Sequence, residues 1–344
     1  MKISFKNDYS EGAHPAILEA LLQTNRQQQP GYGLDDYSEQ AKALIRERIG
    51  NPQAEIFFVS GGTQANLLVL GHILHPHESI IACQSAHIAD HETGAIEAVG
   101  HKIHLTPSDN GKLSPEQIRD YASRYTNVPH QVQPRLVYIT QTTEIGTLYS
   151  LAELKAIWQC CQELGLLLYM DGARLAQALS AEGNDIGWED LARYTDIFYI
   201  GATKCGALLG EAIVFNRSAL AEYFSFYIKQ KGALLAKGRL LGLQFLTLFQ
   251  NNLYEELGRV ANTQMKRIKE AFVAKGIGFL SDTCTNQLFP ILTQRQIAQL
   301  SADFDFYLWQ KVDAEHTAIR LITSWATEDS QVEALLRVIE GLTP

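Results

Sequence analysis

The chain is poor in cysteine, in basic residues and in long apolar runs. Its 344 residues include five cysteines, 29 lysines and arginines, and 38 aspartates and glutamates, which gives a formal net charge of −9. A general nucleic-acid binder needs a basic face, so this charge argues against nucleic-acid partners. The sequence contains neither an apolar run long enough to span a bilayer nor a signal-peptide pattern. We therefore expect a soluble globular protein without membrane association.

The cysteines are odd in number, and no CxxC motif is present. Reduced thiols in the cytoplasm fit this pattern best. Cys160 and Cys161 lie in a helical pattern, where we expect them to be packing residues. The segment "HIADHE" (87–92) has its glutamate in the wrong place for an HExxH zinc motif, so we expect no metal site.

Short β-rich runs alternate with helical patterns over the first two thirds of the chain. The strand candidates are "EIFFV" (55–59), "SIIAC" (79–83), "KIHL" (102–105), "RLVYIT" (135–140), "GLLLYM" (165–170), "DIFYI" (196–200) and "EAIVF" (211–215). This alternation predicts an α/β fold with a mostly parallel seven-stranded sheet and helices on both faces. The last two runs are too close for a helical crossover, which predicts an antiparallel pair. Ser150 is the predicted N-cap of a covering helix over residues 151–164.

The character of the sequence changes near Phe224. A long helical stretch is predicted over residues 238–272, followed by strand-like "NQLFPIL" and "AIRLIT" and a closing helix near residues 328–342. We predict three parts on this basis. They are an N-terminal segment (1–50), a large α/β domain (51–230), and a long helix with a small C-terminal α+β domain (231–344).

Binding sites in open parallel sheets form at the carboxyl ends of the strands. The segment "VSGGTQANLL" places Gly62 and Thr63 between a strand and a helix, where backbone N–H groups can bind a phosphate. An ordinary strand-to-helix turn has the same pattern. The segment is neither a Walker loop nor a GxGxxG turn, which argues against a nicotinamide dehydrogenase.

Asp171 and Lys204 end neighbouring strand units in the sequence. Taken singly, the aspartate can be a helix cap and the lysine a flexible surface residue. Taken together, an aspartate for a pyridinium nitrogen and a lysine for a Schiff base are the two protein groups that pyridoxal phosphate needs. With the phosphate turn at Gly62 and Thr63 as a third contact, the sequence predicts a pyridoxal phosphate site at this edge of the sheet.

Three further side chains are candidates for the same site. His87 follows the "SIIAC" strand and is a candidate for ring stacking or proton transfer. Arg174 offers a planar fork for a carboxylate. Arg320 is a charge inside an apolar strand, which indicates either a paired charge or a carboxylate clamp. The basic run 227–239 is typical of a solvated helix face, and it could also reach the phosphate of a partner subunit.

The motifs "SGGTQANLL", "HIADHETGA", "YMDGARLAQAL", "GATKCGALLGEA" and "IRLITSW" occur in this order. Together they resemble the threonine aldolase and β-eliminating lyase family, whose members are pyridoxal phosphate enzymes of fold type I. The resemblance covers nearly the whole chain and makes residues 51–230 the cofactor-binding domain. It implies that Lys204 forms the Schiff base, that Asp171 partners the ring nitrogen and that His87 stacks on the ring. It also implies that Gly62 and Thr63 hold the phosphate.

The resemblance implies substrate contacts and an oligomer as well. Arg174 and Arg320 resemble residues that hold the substrate carboxylate, with Arg174 also close to the cofactor. Asn7 stands where the aldolases commonly have a serine that contacts the substrate. Tyr32, in "PGYG", matches a tyrosine that lies near the site across a subunit boundary. The family fold implies a homodimer or homotetramer, to which residues 1–50 contribute.

The chain departs from the aldolase pattern in two segments. It has "QTTE" (141–144) in place of an "ENTH"-like segment, and "TKCGALLGE" in place of "SKGLGAPVG". The histidine missing from the first segment leaves open which group deprotonates the substrate hydroxyl. His87, or a water held near it, is one candidate base.

These inferences predict a lyase that cleaves the Cα–Cβ bond of β-hydroxy-α-amino acids, giving glycine and acetaldehyde from threonine or allo-threonine. Lys204, His87 and Asp171 are its predicted catalytic residues. The "QTTE" segment also leaves open a β-eliminating lyase that releases ammonia and a keto acid. A non-catalytic binding or regulatory protein on the same fold is a third reading, against which the retained lysine argues.

Overall fold

The computed structural model describes residues 2–343. The helices are α1 (Pro15–Thr24), α2 (Asp36–Arg48), α3 (Gly62–Ile73), α4 (His87–Asp90), α5 (Ala95–Ala98), α6 (Pro115–Ser123), α7 (Leu151–Leu164), α8 (Leu175–Leu179), α9 (Trp188–Tyr194), α10 (Phe224–Gln230), α11 (Arg239–Phe249), α12 (Leu253–Ala274), α13 (Gln294–Ser301) and α14 (Asp329–Glu340). The strands are β1 (Ile3–Ser4), β2 (Glu55–Val59), β3 (Glu78–Cys83), β4 (Lys102–Thr106), β5 (Gln133–Thr140), β6 (Leu167–Asp171), β7 (Ile197–Gly201), β8 (Glu211–Phe215), β9 (Gln287–Leu288), β10 (Ile291–Thr293), β11 (Phe304–Asp305), β12 (Tyr307–Lys311) and β13 (His316–Ile322).

The main sheet has seven strands in the order β2-β8-β7-β6-β5-β3-β4. These are the predicted strands, and the predicted fold class is confirmed. Strands β3 to β7 pair in parallel, whereas β8 runs antiparallel to both β7 and β2. The antiparallel β7–β8 pair follows from the short connection, which has no room for a crossover helix.

The sheet is buried on both faces, as a sheet covered by helices requires. Alternate residues of strands β5 to β8 enter two different apolar clusters. Met170 and Ile200 belong to one, and Tyr169 and Tyr199 belong to the other. The neighbouring cysteines of α7 are both fully buried, which confirms that they are packing residues.

Helix α7 begins and ends at the predicted residues. The Ser150 hydroxyl accepts a hydrogen bond from the Glu153 backbone N–H at 3.2 Å, and the Glu153 carboxylate accepts one from the Ser150 N–H at 2.8 Å. This reciprocal capping box satisfies two backbone donors that the first helical turn would otherwise leave free. The predicted N-cap is therefore confirmed.

The prediction of one helical stretch over residues 238–272 was wrong. Helix α11 ends at Phe249 and α12 begins at Leu253. Between them Asn251 and Asn252 have φ angles of 57° and 59°, in the left-handed region. Asparagine tolerates this conformation better than most residues, so the "QNN" segment can turn the chain between two helices.

The C-terminal part contains a small antiparallel sheet built around β13, which pairs with β9, β10 and β12. The predicted strand "NQLFPIL" is split in two at Pro290, which has no N–H for a continuous ladder. Strand β1 pairs with β11, so the N-terminal residues join this part of the molecule. The division at residues 50 and 230 stays a prediction. Among residues 2–343, no helix is both long and apolar enough to cross a bilayer.

Candidate active site

The predicted cofactor residues lie at the carboxyl edge of the main sheet. Asp171 is the last residue of β6, and Lys204 follows the end of the neighbouring strand β7. The backbones approach closely here, since a Cβ atom on Gly201 would lie 2.5 Å from the Ala173 carbonyl oxygen. Glycine at this position therefore lets the two turns pack against each other.

The buried Asp171 carboxylate is held by four donors. Its Oδ1 accepts hydrogen bonds from the Tyr199 hydroxyl and from the Ala173 N–H at 3.0 Å. Its Oδ2 accepts from the Tyr138 hydroxyl and from the Asn66 amide at 3.2 Å. Hydrogen bonds to a carboxylate stabilise its charged form. Asp171 therefore offers an anion, which a protonated ring nitrogen requires.

Three tyrosines on adjacent strands surround this anion: two donate to the carboxylate, and Tyr169 donates to the Asn66 amide oxygen. Tyr138, Tyr169 and Tyr199 each stand two residues before the end of their strand, and all three are buried. Burial and then the Asp171 charge raise their pKa values well above the ordinary value, so that the hydroxyls remain donors. Sequence reasoning missed them. The recurring segments "VYIT", "LYMD" and "FYIG" are the signal that could have found them.

His87 opens α4 and is connected to Asp171 through two other side chains. The His87 Nδ1 lies 3.0 Å from Glu92 Oε1, which also accepts a hydrogen bond from the Asn66 amide at 2.7 Å. Asn66 in turn donates to Asp171. The network fixes the orientation of the imidazole ring relative to the carboxylate. Glu92 and Asn66 were not among the predicted site residues.

Lys204 lies among charged groups, and its pKa is lowered. Burial is the main cause and Arg174 adds to it, whereas Asp8, Asp171 and Glu211 act in the opposite direction. A lowered pKa favours the neutral amine, which is the nucleophilic form. Burial also raises the pKa of Glu211 to about 8, against the attraction of Lys204.

Arg174 pairs with an aspartate that sequence reasoning missed. Its Nε lies 2.7 Å from Asp8 Oδ2, and its Nη2 lies 3.1 Å from Asp8 Oδ1. The buried Asp8 also accepts a hydrogen bond from the Asn286 amide at 2.9 Å. The predicted Asn7 is adjacent, and its Oδ1 accepts from the Tyr9 N–H and the Ser10 hydroxyl. Asn7 therefore shapes the loop that carries Asp8.

Arg320 is held by aromatic stacking. Its guanidinium carbon lies 4.6 Å from the ring centroid of Trp309 and 5.1 Å from that of Tyr307. Its buried Nε has no hydrogen-bond partner within residues 2–343. Burial lowers the pKa of Arg320, and the charge of Arg174 lowers it further. A cation with an unpartnered buried donor, within the field of a second cation, is suited to binding a carboxylate.

The turn at Gly62 and Thr63 borders a cavity of about 510 Å³, which Lys231 also lines. Helix α3 begins here, and Gly61 provides no side-chain cap for its N-terminal N–H groups. Free N–H groups at a helix N-terminus, with a lysine beside them, are suited to a phosphate. Lys231 belongs to the basic run 227–239, for which the sequence offered the phosphate of a partner subunit, but here it lies beside the phosphate turn of its own chain.

Tyr32 is not part of this cluster in the single chain. It lies in a surface groove with Phe226 and Leu234, its ring is 47% exposed, and Lys229 Nζ lies 4.6 Å from the ring centroid. Its φ angle of 60° is in the left-handed region. Its predicted role across a subunit boundary stays a prediction.

The family model described as beta-eliminating lyase matches residues 6–292 of the chain. The chain belongs to this family. A low specificity L-threonine aldolase of Pseudomonas aeruginosa is 33% identical to this β-eliminating lyase family member, over 97% of this chain and 96% of the relative.

Solved structures agree with the family. The threonine aldolase of Leishmania major is 45% identical, with a TM-score of 0.97 over 98% of this chain and 99% of that chain. A structure of SPT with pyridoxal phosphate shares the fold alone, at 14% identity and a TM-score of 0.74, over 99% of this chain and 87% of that one. The architecture is therefore fold type I, as predicted.

Pyridoxal phosphate is the cofactor of this β-eliminating lyase family member. The residues fit it. Asp171 provides a hydrogen-bonded anion, Lys204 an amine of lowered pKa, and the uncapped start of α3 free donors for a phosphate. Within residues 2–343, no group of three or more histidine, cysteine, aspartate or glutamate side chains is arranged to hold a metal ion.

Proposed function

We propose that this protein is a pyridoxal phosphate-dependent threonine aldolase, which cleaves threonine or allo-threonine to glycine and acetaldehyde. The observation that carries the proposal is that the charges of Asp171 and Arg174 both act on buried Lys204, while the charge of Arg174 also acts on Arg320. The names of the full-length relatives support the substrate class.

When bound, the cofactor supplies an electron sink for the bond that breaks. Lys204 would hold it through its ε-amine. The Asp171 anion would keep the ring nitrogen protonated, and the His87 imidazole would pack against the ring. Gly62 and Thr63 would bind the phosphate through backbone N–H groups.

Arg320 and Arg174 bind the substrate carboxylate in this proposal. Asp8 occupies the Nε and Nη2 edge of Arg174, so the remaining donors of that side chain are available. Trp309 and Tyr307 restrict the Arg320 guanidinium, so little conformational entropy is lost when it binds substrate. Asn7, next to Asp8, contacts the same substrate in this proposal.

We also propose that the protein is a cytoplasmic homodimer or homotetramer. Tyr223 and Phe226 are 69% and 73% exposed, and their rings lie 6.3 Å apart. The Tyr32 groove is continuous with Phe226. An exposed aromatic patch of this kind is typical of a subunit interface.

Product analysis of the purified enzyme tests the reaction. We expect a visible cofactor absorption that borohydride abolishes and that the Lys204→Ala variant lacks. With threonine, glycine and acetaldehyde should accumulate in equal amounts. Ammonia with a keto acid would instead establish β-elimination, and a protein that does not bind pyridoxal phosphate would refute the proposal.

A further inference from the structure

Glu144 is the last residue of "QTTE" (141–144), the segment that lacks the histidine of the aldolase pattern. It follows β5, which lies between β3 and β6 in the sheet. Strand β3 leads to His87 and β6 ends at Asp171, so Glu144 emerges between these two residues. The carboxyl edge of the sheet therefore brings a third acidic or basic group to the proposed cofactor site.

The two carboxyl oxygens of Glu144 have different surroundings. Oε1 accepts hydrogen bonds from the His87 backbone N–H at 2.8 Å and from the Thr140 hydroxyl at 2.9 Å. Oε2 accepts a hydrogen bond from no other residue among residues 2–343. It also does not belong to the fully buried side-chain atoms that lack a partner. The side chain as a whole is only 9% exposed. One oxygen is therefore fixed by the protein, and the other is available to a bound molecule.

Burial and a neighbouring charge make Glu144 able to exchange a proton near neutral pH. Burial, followed by the Asp171 charge, raises its pKa to about 7, whereas hydrogen bonds from its own backbone N–H, from Thr140 and from His87 oppose this rise. The other titratable groups that face it are Tyr138 on β5, Tyr149 before α7 and Arg174 before α8. A general acid–base residue is most effective when its pKa is close to the working pH.

We propose that Glu144 is the acid–base residue of the cleavage step and takes the β-hydroxyl proton of the substrate. This inference rests on the proposed function. The His87 Nδ1 is already engaged by Glu92, whereas Glu144 Oε2 accepts a hydrogen bond from no other residue among residues 2–343. Glu144 therefore takes the place of the histidine that the "QTTE" segment lacks.

The step balances without any additional reactant. The β-hydroxyl proton moves to Glu144 Oε2, the hydroxyl oxygen forms the carbonyl group of acetaldehyde, and the Cα–Cβ bond breaks. The electron pair of that bond is taken up by the cofactor. One proton then adds to Cα, and Glu144 releases one, so that threonine becomes glycine and acetaldehyde with no net change in protons.

The Glu144→Gln variant tests the proposal. Its amide oxygen can still accept from the His87 N–H and the Thr140 hydroxyl, but the side chain cannot take up a proton. We expect kcat for threonine cleavage to fall about 100-fold or more, with little change in KM. The loss of wild-type activity on acidification through about pH 7 should be absent from the residual activity of the variant.

A second readout separates catalysis from positioning. Exchange of the glycine Cα proton in D₂O needs the cofactor, the carboxylate clamp and Lys204, but no β-hydroxyl proton. The variant should therefore keep both this exchange and the cofactor absorption. Glu153→Gln, which alters a carboxylate paired with Lys112 outside the site, is the matched control and should keep full activity.

The outcomes distinguish the two proposals. A wild-type enzyme that makes no acetaldehyde refutes the proposed function, and the role of Glu144 with it. If the wild type is active, an unchanged kcat in Glu144→Gln overturns the present inference. An equal loss of cleavage and of glycine exchange also overturns it, because Glu144 would then only position other groups. Glu144→Asp should retain the acidic limb of the pH profile, and its disappearance would count against the role.

Discussion

At the scale of single residues, donors or a cation match the two buried aspartates of the site, Asp171 and Asp8. Asp171 accepts four hydrogen bonds, and Asp8 has both Arg174 and Asn286. Burial of an unpartnered carboxylate would cost several kcal/mol or would leave the group protonated. Matching each one allows the site to keep anions and cations close together without solvent.

Replacing Asp171 with alanine should leave the cofactor bound while removing most of the activity. The phosphate turn and Lys204 still hold the cofactor, but no anion keeps its ring nitrogen protonated. We expect kcat to fall about 100-fold or more, measured alongside the cofactor absorption spectrum. Full activity in this variant would contradict the role assigned to Asp171.

Replacing Asp8 with asparagine should destabilise the fold, because Arg174 loses its charge partner. Breaking a buried pair in this way costs about 3 kcal/mol in the free energy of unfolding. Although burial raises the pKa of Asp8, Arg174 and Lys204 lower it below 3.8 in the folded state. The stability from this charge is therefore present above about pH 4 and is lost as the pH falls through the lower folded pKa. Urea unfolding at pH 7 and pH 3 measures the difference, and a gap between variant and wild type that widens in acid would contradict it.

At the scale of elements, α12 holds α8 in place by close backbone contact. A Cβ atom on Gly258 would lie 2.4 Å from the Ala176 carbonyl oxygen and 2.8 Å from the Ser180 hydroxyl. Helix α8 directly follows Arg174, so its position affects the carboxylate clamp. This contact could not be read from the sequence, in which residues 176 and 258 are far apart.

We expect Gly258→Ala to lower the free energy of unfolding by about 1–3 kcal/mol through overpacking. Gly278→Ala is the matched control, since a Cβ atom there would meet nothing within 4 Å. Midpoints of urea unfolding compare the two variants. Equal midpoints would show that α12 can move away from α8 without cost.

At the scale of the whole molecule, the exposed patch of Tyr32, Tyr223 and Phe226 bears on the oligomer. Placing a charge at its centre, by Phe226→Glu, should weaken association of the subunits, because the carboxylate would lose its water at the interface. Sedimentation velocity should show a smaller species than the wild type. Val273→Glu, at a 57% exposed position on α12, is the control and should sediment as the wild type does. An unchanged mass in both variants would place the interface elsewhere.

The amino-acid sequence by itself determined the seven strands, the limits of α7 and the residues Asp171, Lys204, Arg174 and Arg320 as candidates for one site. Strand periodicity, capping boxes and residues after strand ends are local signals, so they can be read without coordinates.

The tertiary structure alone decided the partners of those residues. Asp8 meets Arg174, Glu92 meets His87, and three tyrosines converge on Asp171 and Asn66. Each of these contacts joins separate elements. Their existence depends on strand order and on the packing of the helices above the sheet, which no local pattern contains. The same reasoning applies to "QTTE", which in the sequence is only a departure from the aldolase pattern. The structure shows that its glutamate, Glu144, accepts hydrogen bonds from His87 and Thr140 through one oxygen and from no other residue through the second.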